Sequence, residues 1–282
     1  MIQSVEQPDV IVIGGGPSGC ATASILAQRG YRVSIFERDH FPRFHIGESL
    51  IPFCYGTLKR IGLLDKMKSS HFTKKYGVQF INEQGKLSEP FRFEQYDPHE
   101  RSQTWQVLRS EFDKMLLDNA REHGVQVFEG ARVLDIERDG DRVVGVKVKC
   151  EGEETKVVRS KVVVDASGQS SLLIDRLNLR EWDPDLKKAA VWSYFKGAKR
   201  EPGLDSGGTI VIQTQGKKGW FWYIPLHDDV VSVGVVADHD YLFKNRDTKD
   251  PRKIFYEEVD RCPRSEEHTS ELQSPCNLVC RL

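Results

Sequence analysis

Apolar residues follow two regimes along the chain. In the first, short unbroken runs alternate with helical periodicity. Residues 10–13 read Val-Ile-Val-Ile, a pattern that predicts a strand buried on both faces of a parallel sheet. A Gly-rich turn follows, and from 18 to 28 small and apolar residues (Cys20, Ala21, Ala23, Ile25, Leu26, Ala27) recur at helical spacing before Gly30, a residue suited to a helix C-terminal stop. Residues 31–36 read as the next strand, which completes a βαβ unit expected to cross over right-handed. One further helix is predicted over 51–67, then a Lys-rich loop and short strands near 77–82 and 87–93. Residues 109–124 alternate at helical period and end on Gly. Beyond them, 125–128, 132–138, 142–150 and 154–158 read as a strand and a hairpin meander with a turn at Asp139-Gly140, and 161–165 as a buried strand running into Gly168. From 189 to 237 the period becomes two, with strands at 191–195, 209–212, 220–224 and 230–236.

This order predicts an α/β chain in which a Rossmann-like dinucleotide-binding domain is interleaved with an antiparallel β-sheet domain. The expected boundaries are 1–75 with 105–185 for the first and 76–104 with 186–245 for the second, with 246–263 opening a C-terminal part. Composition is that of a folded chain, 39% hydrophobic and 29% charged over 282 residues. Lys plus Arg at 41 against Asp plus Glu at 42 leaves no global field to attract nucleic acid or an anionic membrane. The apolar runs fall far short of the roughly 20 residues a membrane helix needs. Residues 1–8 lack the basic and apolar blocks of a signal peptide, which favours the cytoplasm. The six cysteines, at 20, 54, 150, 262, 276 and 280, show neither a CxxC pair nor metal-ligand spacing, so reduced thiols and no metal are expected.

The chemistry begins at Gly14-x-Gly16-x-x-Gly19, set between the first strand and its helix. Gly14 permits a tight turn, Gly16 lets the backbone approach a pyrophosphate, and Gly19 lets helix and strand pack closely. The helix start at Ser18 offers free N–H groups to negative charge. Glu37, followed by Arg38, ends the next strand where a carboxylate can accept from ribose hydroxyls. The fingerprint serves FAD and NAD alike.

Several segments carry a family resemblance. Asp165-Ala-Ser-Gly168 resembles the second flavin-contacting motif of FAD monooxygenases, and Val107-Leu-Arg109 with Phe112-Asp113 resembles their arginine-plus-helix segment. Phe41-Pro-Arg-Phe-His-Ile-Gly-Glu-Ser-Leu-Ile-Pro52 resembles flavin-dependent halogenases and geranylgeranyl-reductase-like proteins, and Gly219-Trp-Phe-Trp-Tyr-Ile-Pro225 resembles the W-x-W-x-I-P motif of the halogenases. The resemblance implies FAD in a fold of the flavin-monooxygenase type, with Arg43 reaching the phosphates, Gly47, Glu48 and Ser49 passing near the flavin ring, and Arg109 beside its edge. It also implies that Trp220, Trp222, Ile224 and Pro225 screen flavin from a small-molecule organic substrate, an electron-rich aromatic or pyrrolic compound. In such enzymes reduced flavin and oxygen turn halide into hypohalous acid, which a lysine then holds or captures. In Phe72-Thr-Lys-Lys-Tyr-Gly77 that lysine is expected to be Lys75, with Lys74 second. A single dinucleotide fingerprint implies a separate flavin reductase as partner. An FAD monooxygenase, a geranylgeranyl-reductase-like enzyme and a catalytically inert flavin-binding fragment are the alternatives.

Residues 264–274 resemble the conceptual translation of a sequencing-library adapter, so 264–282 are expected to lie outside the natural fold. The natural chain is then expected to continue past 263, where the family carries a third, Gly-Asp-rich flavin motif.

Overall fold

The computed structural model describes residues 7–244, 246–262 and 278–281. Residues 264–277, which hold the adapter-like segment and Cys276, and the first six residues of the chain lie outside the described residues. The chain divides into two compact units, residues 1–46, 56–69 and 109–181 in one, and 47–55, 70–108 and 182–282 in the other. The sequence boundaries had placed 47–55, 70–75, 105–108 and 182–185 in the first unit. Strand pairing moves the first three, because hydrogen bonds between distant segments outweigh chain proximity.

The first unit is built on a parallel sheet. β1 (Val10–Ile13) is buried along its whole length and pairs with β2 (Val33–Phe36) on one side, and with a later strand on the other. Between them runs α1 (Pro17–Ala27), which Gly30 terminates at φ +85°. The single helix expected over 51–67 is instead α2 (Cys54–Arg60) and α3 (Leu64–Ser69). Gly62 sits between them at φ +72°, and Leu63 N donates back to Leu58 O at 2.9 Å, a left-handed stop that the apolar spacing alone does not reveal.

The second unit opens with β3 (Thr73–Lys75), β4 (Gly77–Ile81), β5 (Phe91–Arg92) and β6 (Thr104–Gln106). Back in the first unit, α4 (Arg109–Glu122) packs on α1, burying Phe112, Leu116, Leu117 and Ala120. The chain continues through β7 (Gln126–Phe128), β8 (Ala131–Asp139), β9 (Arg142–Cys150), β10 (Lys156–Arg159), β11 (Val162–Asp165) and α5 (Leu172–Arg176). The sheet order is β11-β1-β2-β7, and β8, β9 and β10 form the antiparallel meander. Ile11, Ile13 and Phe36 share a core with Val133, Val146, Val148 and Val158 of that meander.

The remaining elements of the second unit are β12 (Lys188–Lys196), β13 (Thr209–Gln213), β14 (Gly219–Pro225), β15 (Val230–Asp238), α6 (His239–Phe243), α7 (Pro251–Asp260) and β16 (Leu278–Arg281). They form a sheet in the order β16-β12-β15-β14-β13-β4-β5, antiparallel except where β4 joins β13 in parallel. α7 presses Ile254, Phe255 and Val259 onto the core-facing side chains Val191, Phe195 and Phe221. Residues 251–260, within the 246–263 stretch expected to open a C-terminal part, contribute to the core of this sheet. β16 pairs with β12 from Ser193↔Leu278 to Ala190↔Arg281, although 278–281 were expected to stand outside the fold. An open sheet edge accepts any extended β-prone segment, and Leu-Val-Cys-Arg is one.

No helix among the described residues is long and apolar enough to cross a membrane. Cys20, Cys54, Cys150 and Cys262 are free thiols, as expected.

Candidate functional site

In the first unit the glycines of the fingerprint meet steric demands. Gly14 adopts φ +101°, and a Cβ there would stand 2.6 Å from Ala166 O. A Cβ on Gly19 would stand 2.0 Å from Gly14 O, closer than any side chain tolerates. Gly16, the N-cap of α1, has no side-chain cap, and Pro17 at the first helical position removes one donor that would otherwise be orphaned. The N–H groups at the start of α1, including that of exposed Ser18, therefore remain for an external acceptor.

Glu37 is buried, and its carboxylate is turned onto the glycine loop. Oε2 accepts from Gly15 N at 2.7 Å and Oε1 from Asp39 N at 2.9 Å. The carboxylate thus fixes the loop geometry itself, a role that the sequence reading had not assigned beside its reach toward ribose. Arg38 is exposed, near Asp39 and Ser170.

Arg43 and Arg109 converge on a residue to which the sequence assigns no role of its own. Asp113 is fully buried and accepts from Arg109 Nε at 2.7 Å and Nη2 at 2.9 Å, while Arg43 Nη1 lies 3.3 Å away. The Arg109–Asp113 pair is one helical turn apart on α4, a spacing that signals it in the sequence. Arg109 Nη1 also donates to Ile46 O at 2.7 Å. The other end of Arg43 faces the fingerprint, with Nη2 3.6 Å from the Cβ position of Gly16. Replacing Asp113 by alanine should leave two nearly buried guanidinium groups without their shared counter-ion and cost about 3–5 kcal/mol, read as the midpoint of urea unfolding.

Asp165 spends its carboxylate on backbone. Oδ1 accepts from Ser167 N at 2.9 Å and Oδ2 from Leu173 N at 2.7 Å, which shapes the turn containing Gly168 at φ +60°. These residues fit a dinucleotide: a turn too tight for side chains, an uncapped helix start and a cation beside it.

The second unit holds the other expected residues. Glu48, Ser49 and Leu50 run antiparallel to β6, with Val107 N donating to Glu48 O at 2.8 Å and Leu50 N to Trp105 O at 3.1 Å. Gly47 precedes them at φ +108°. β6 pairs on its other side with β3. Alternation along β3 then separates the two lysines, leaving Lys74 exposed and burying Lys75 to 3% exposure. Lys75 Nζ donates to Ser49 Oγ at 2.8 Å and to Leu50 O at 3.1 Å, and lies 5.5 Å from the centre of the Phe93 ring. Burial lowers its pKa to about 8, with the Cys54 thiol pulling weakly the other way. Glu48, also buried, accepts from the Tyr194 hydroxyl.

Trp220 and Trp222 share one face of β14. Trp220 is exposed, whereas Trp222 is half-buried and donates from Nε1 to Ser232 Oγ at 3.1 Å. A third indole, fully buried Trp192 of β12, lies 6.3 Å from Trp222 between ring centroids. Ile224 and Pro225 are buried at the end of the strand. Gly234 of β15 makes room for this wall, since a Cβ there would stand 2.3 Å from Trp222 Cζ2 and 2.5 Å from Trp192 Cβ. Glycine inside a strand is the sequence signal for such a close approach. Gly234→Ala is expected to lower stability by about 1–3 kcal/mol through overpacking and to shift the tryptophan emission, measured in thermal melts followed by fluorescence.

The family described as FAD binding domain matches residues 7–270. The chain belongs to this FAD-binding family. It is 39% identical over 239 residues to the flavin-dependent halogenase armH3 of Armillaria mellea, covering 82% of this chain and 47% of that protein. It is 34% identical over 251 residues to a 1H-pyrrole-2-carbonyl-[peptidyl-carrier protein] chlorinase of Pseudomonas fluorescens, covering 81% of this chain and 55% of the relative. The solved structure of the myxobacterial chondrochloren halogenase superimposes with a TM-score of 0.87 at 33% identity, over 98% of this chain and 64% of that one. This FAD-binding chain therefore spans about half the length of the curated relatives it matches. FAD is the cofactor of the family.

Proposed function

We propose that the protein is an FAD-dependent halogenase acting on an electron-rich aromatic or pyrrolic compound, with Lys75 as the residue that receives the oxidised halogen. Reduced FAD and oxygen supply the oxidising equivalents that make halide electrophilic. The fingerprint glycines and the start of α1 hold the diphosphate, with Arg43 as counter-charge. Glu37 keeps the loop in shape and Asp113 holds Arg43 and Arg109 in place. Gly47, Glu48 and Ser49 pass along the flavin ring, and the indoles of Trp220 and Trp222 keep bulky substrate from it. The pyrrolic option draws on the Pseudomonas relative, whose substrate is pyrrole-2-carbonyl on a peptidyl carrier protein.

The observation that carries this reading is the buried amine. Lys75 makes no ion pair among the described residues, and its pKa near 8 leaves a substantial neutral fraction close to neutral pH. A neutral amine attacks hypohalous acid: the N–halogen bond forms, the O–halogen bond breaks, and hydroxide leaves as water with the amine proton. The aromatic carbon then takes the halogen and the amine is regenerated as the ring loses its proton. The separate flavin reductase belongs to this proposal, as does a cytoplasmic location.

Incubation with reduced FAD, oxygen and bromide plus simple phenols and indoles tests the proposal by mass spectrometry. Brominated product is expected, and hydroxylated product without bromination would move the assignment to a monooxygenase.

A further inference from the structure

Lys75 is held by a chain of groups that reaches well beyond its own strand. Its Nζ donates to Ser49 Oγ, which lies 2.9 Å from Thr209 Oγ1 of β13. Gln106 Nε2 donates to Thr209 Oγ1 at 2.9 Å and to Gly207 O at 2.9 Å. Gln106 is fully buried, and Gly207 O fixes its orientation, since the flipped amide would set one carbonyl oxygen against another. Thr209 must therefore accept from Gln106, which leaves its hydroxyl proton and remaining lone pair for Ser49.

Between two hydroxyls at 2.9 Å there is room for one proton, and it can run either way. When Lys75 is an ammonium it needs acceptors: Ser49 accepts from it and donates onward to Thr209. When Lys75 is neutral its lone pair needs a donor: Thr209 donates to Ser49, and Ser49 donates to the amine. In both states the bond between Ser49 and the amine is kept without moving a heavy atom, whereas a fixed acceptor such as Leu50 O serves only a donating N–H. The titratable group acting on Lys75 is the Cys54 thiol, whose own pKa burial pushes upward; the Phe93 ring and Thr104, its cross-strand partner, carry no charge.

We infer that Ser49 and Thr209 form a reversible hydroxyl pair, oriented by Gln106, that holds the Lys75 amine in one place through both of its protonation states. They are positioning residues, and their role in halogenation rests on the reading of Lys75 proposed above. A group that cycles between ammonium, free amine and halogenated amine gains most from such a partner, because the acceptor that steadies one state becomes the donor that steadies the next.

The test is a titration of the amine itself, so that it stands apart from turnover. Protein labelled with lysine carrying 13C at Cε is followed from pH 6 to 11, the Lys75 signal being assigned by its loss in Lys75→Arg. The wild-type midpoint is expected near 8. Ser49→Ala removes the acceptor of the ammonium form and is expected to lower the midpoint by about half a pH unit or more. Thr209→Val leaves the Ser49 hydroxyl without its acceptor only when Lys75 is charged, so the midpoint falls here too. Thr209→Ser keeps the hydroxyl and is expected to titrate as wild type. Because the two hydroxyls act in series, the double variant Ser49→Ala/Thr209→Val should fall no further than Ser49→Ala alone. An unchanged midpoint in Thr209→Val, a Thr209→Ser variant as perturbed as the valine, or fully additive shifts would overturn the inference. If the shifts appear while Lys75→Arg still halogenates, the hydroxyl pair stands and the nucleophilic role of Lys75 falls.

Discussion

Gly19→Ala should yield protein that no longer retains FAD. The added Cβ would sit 2.0 Å from Gly14 O, so either α1 must back away from β1 or the turn must open. Either movement displaces the N–H groups that a diphosphate needs, and overpacking at a backbone atom also costs about 1–3 kcal/mol of stability. Gly16→Ala separates these effects. Its Cβ meets nothing nearer than Arg43 Nη2 at 3.6 Å, so the fold should melt as wild type does while the new methyl occupies the surface where backbone and pyrophosphate approach. Flavin fluorescence titration together with thermal melts decides the matter. A Gly19→Ala protein that binds FAD with unchanged affinity would remove the fingerprint from the site.

The parts of this site legible in the sequence are those governed by local geometry. The Val-Ile-Val-Ile run, the glycine spacing and the terminal Gly30 each report a backbone requirement met within a few residues, and β1, α1 and β2 lie within about two residues of the expected bounds. Alternation likewise decided between Lys74 and Lys75 once β3 had a partner. What escaped was set by distant pairing. Residues 48–50 lie along β6 because Val107 N donates to Glu48 O and Leu50 N to Trp105 O, each across more than fifty positions of chain, and no periodicity announces that. Asp113 was readable as one half of a helical pair with Arg109, but its approach to Arg43 depends on where the loop after β2 returns. Trp192 carried no signal beyond its place in the strand at 191–195, and joins the indole wall only because Gly234 stands between it and Trp222. α7 falls in the stretch expected to open a C-terminal part because it follows the last strand of the alternating block, yet its apolar stripe contributes to the core of that same sheet.

Lys75→Met should cut halogenation by about a hundredfold or more while leaving FAD binding intact, since methionine fills the space and lacks only the nucleophile. Arginine separates the roles open to the amine. A guanidinium stays charged throughout and still donates hydrogen bonds, so it would support a mechanism in which Lys75 merely steadies hypohalous acid, but not one in which nitrogen attacks halogen. Lys75→Arg is therefore expected to be as inactive as the methionine variant. The pH profile carries the same distinction with its own sign. Burial lowers the amine's pKa to about 8, so the neutral fraction, and with it the rate, should climb tenfold per pH unit below that value and level off above it. A hydrogen-bond donor would give the opposite limb, flat at low pH and falling above 8, because only the ammonium form has the third N–H to give. Rates measured at saturating reduced flavin and halide from pH 6 to 9.5, with free hypohalite release followed in parallel, separate the two limbs. A falling limb together with partial activity in Lys75→Arg would return Lys75 to the role of a donor.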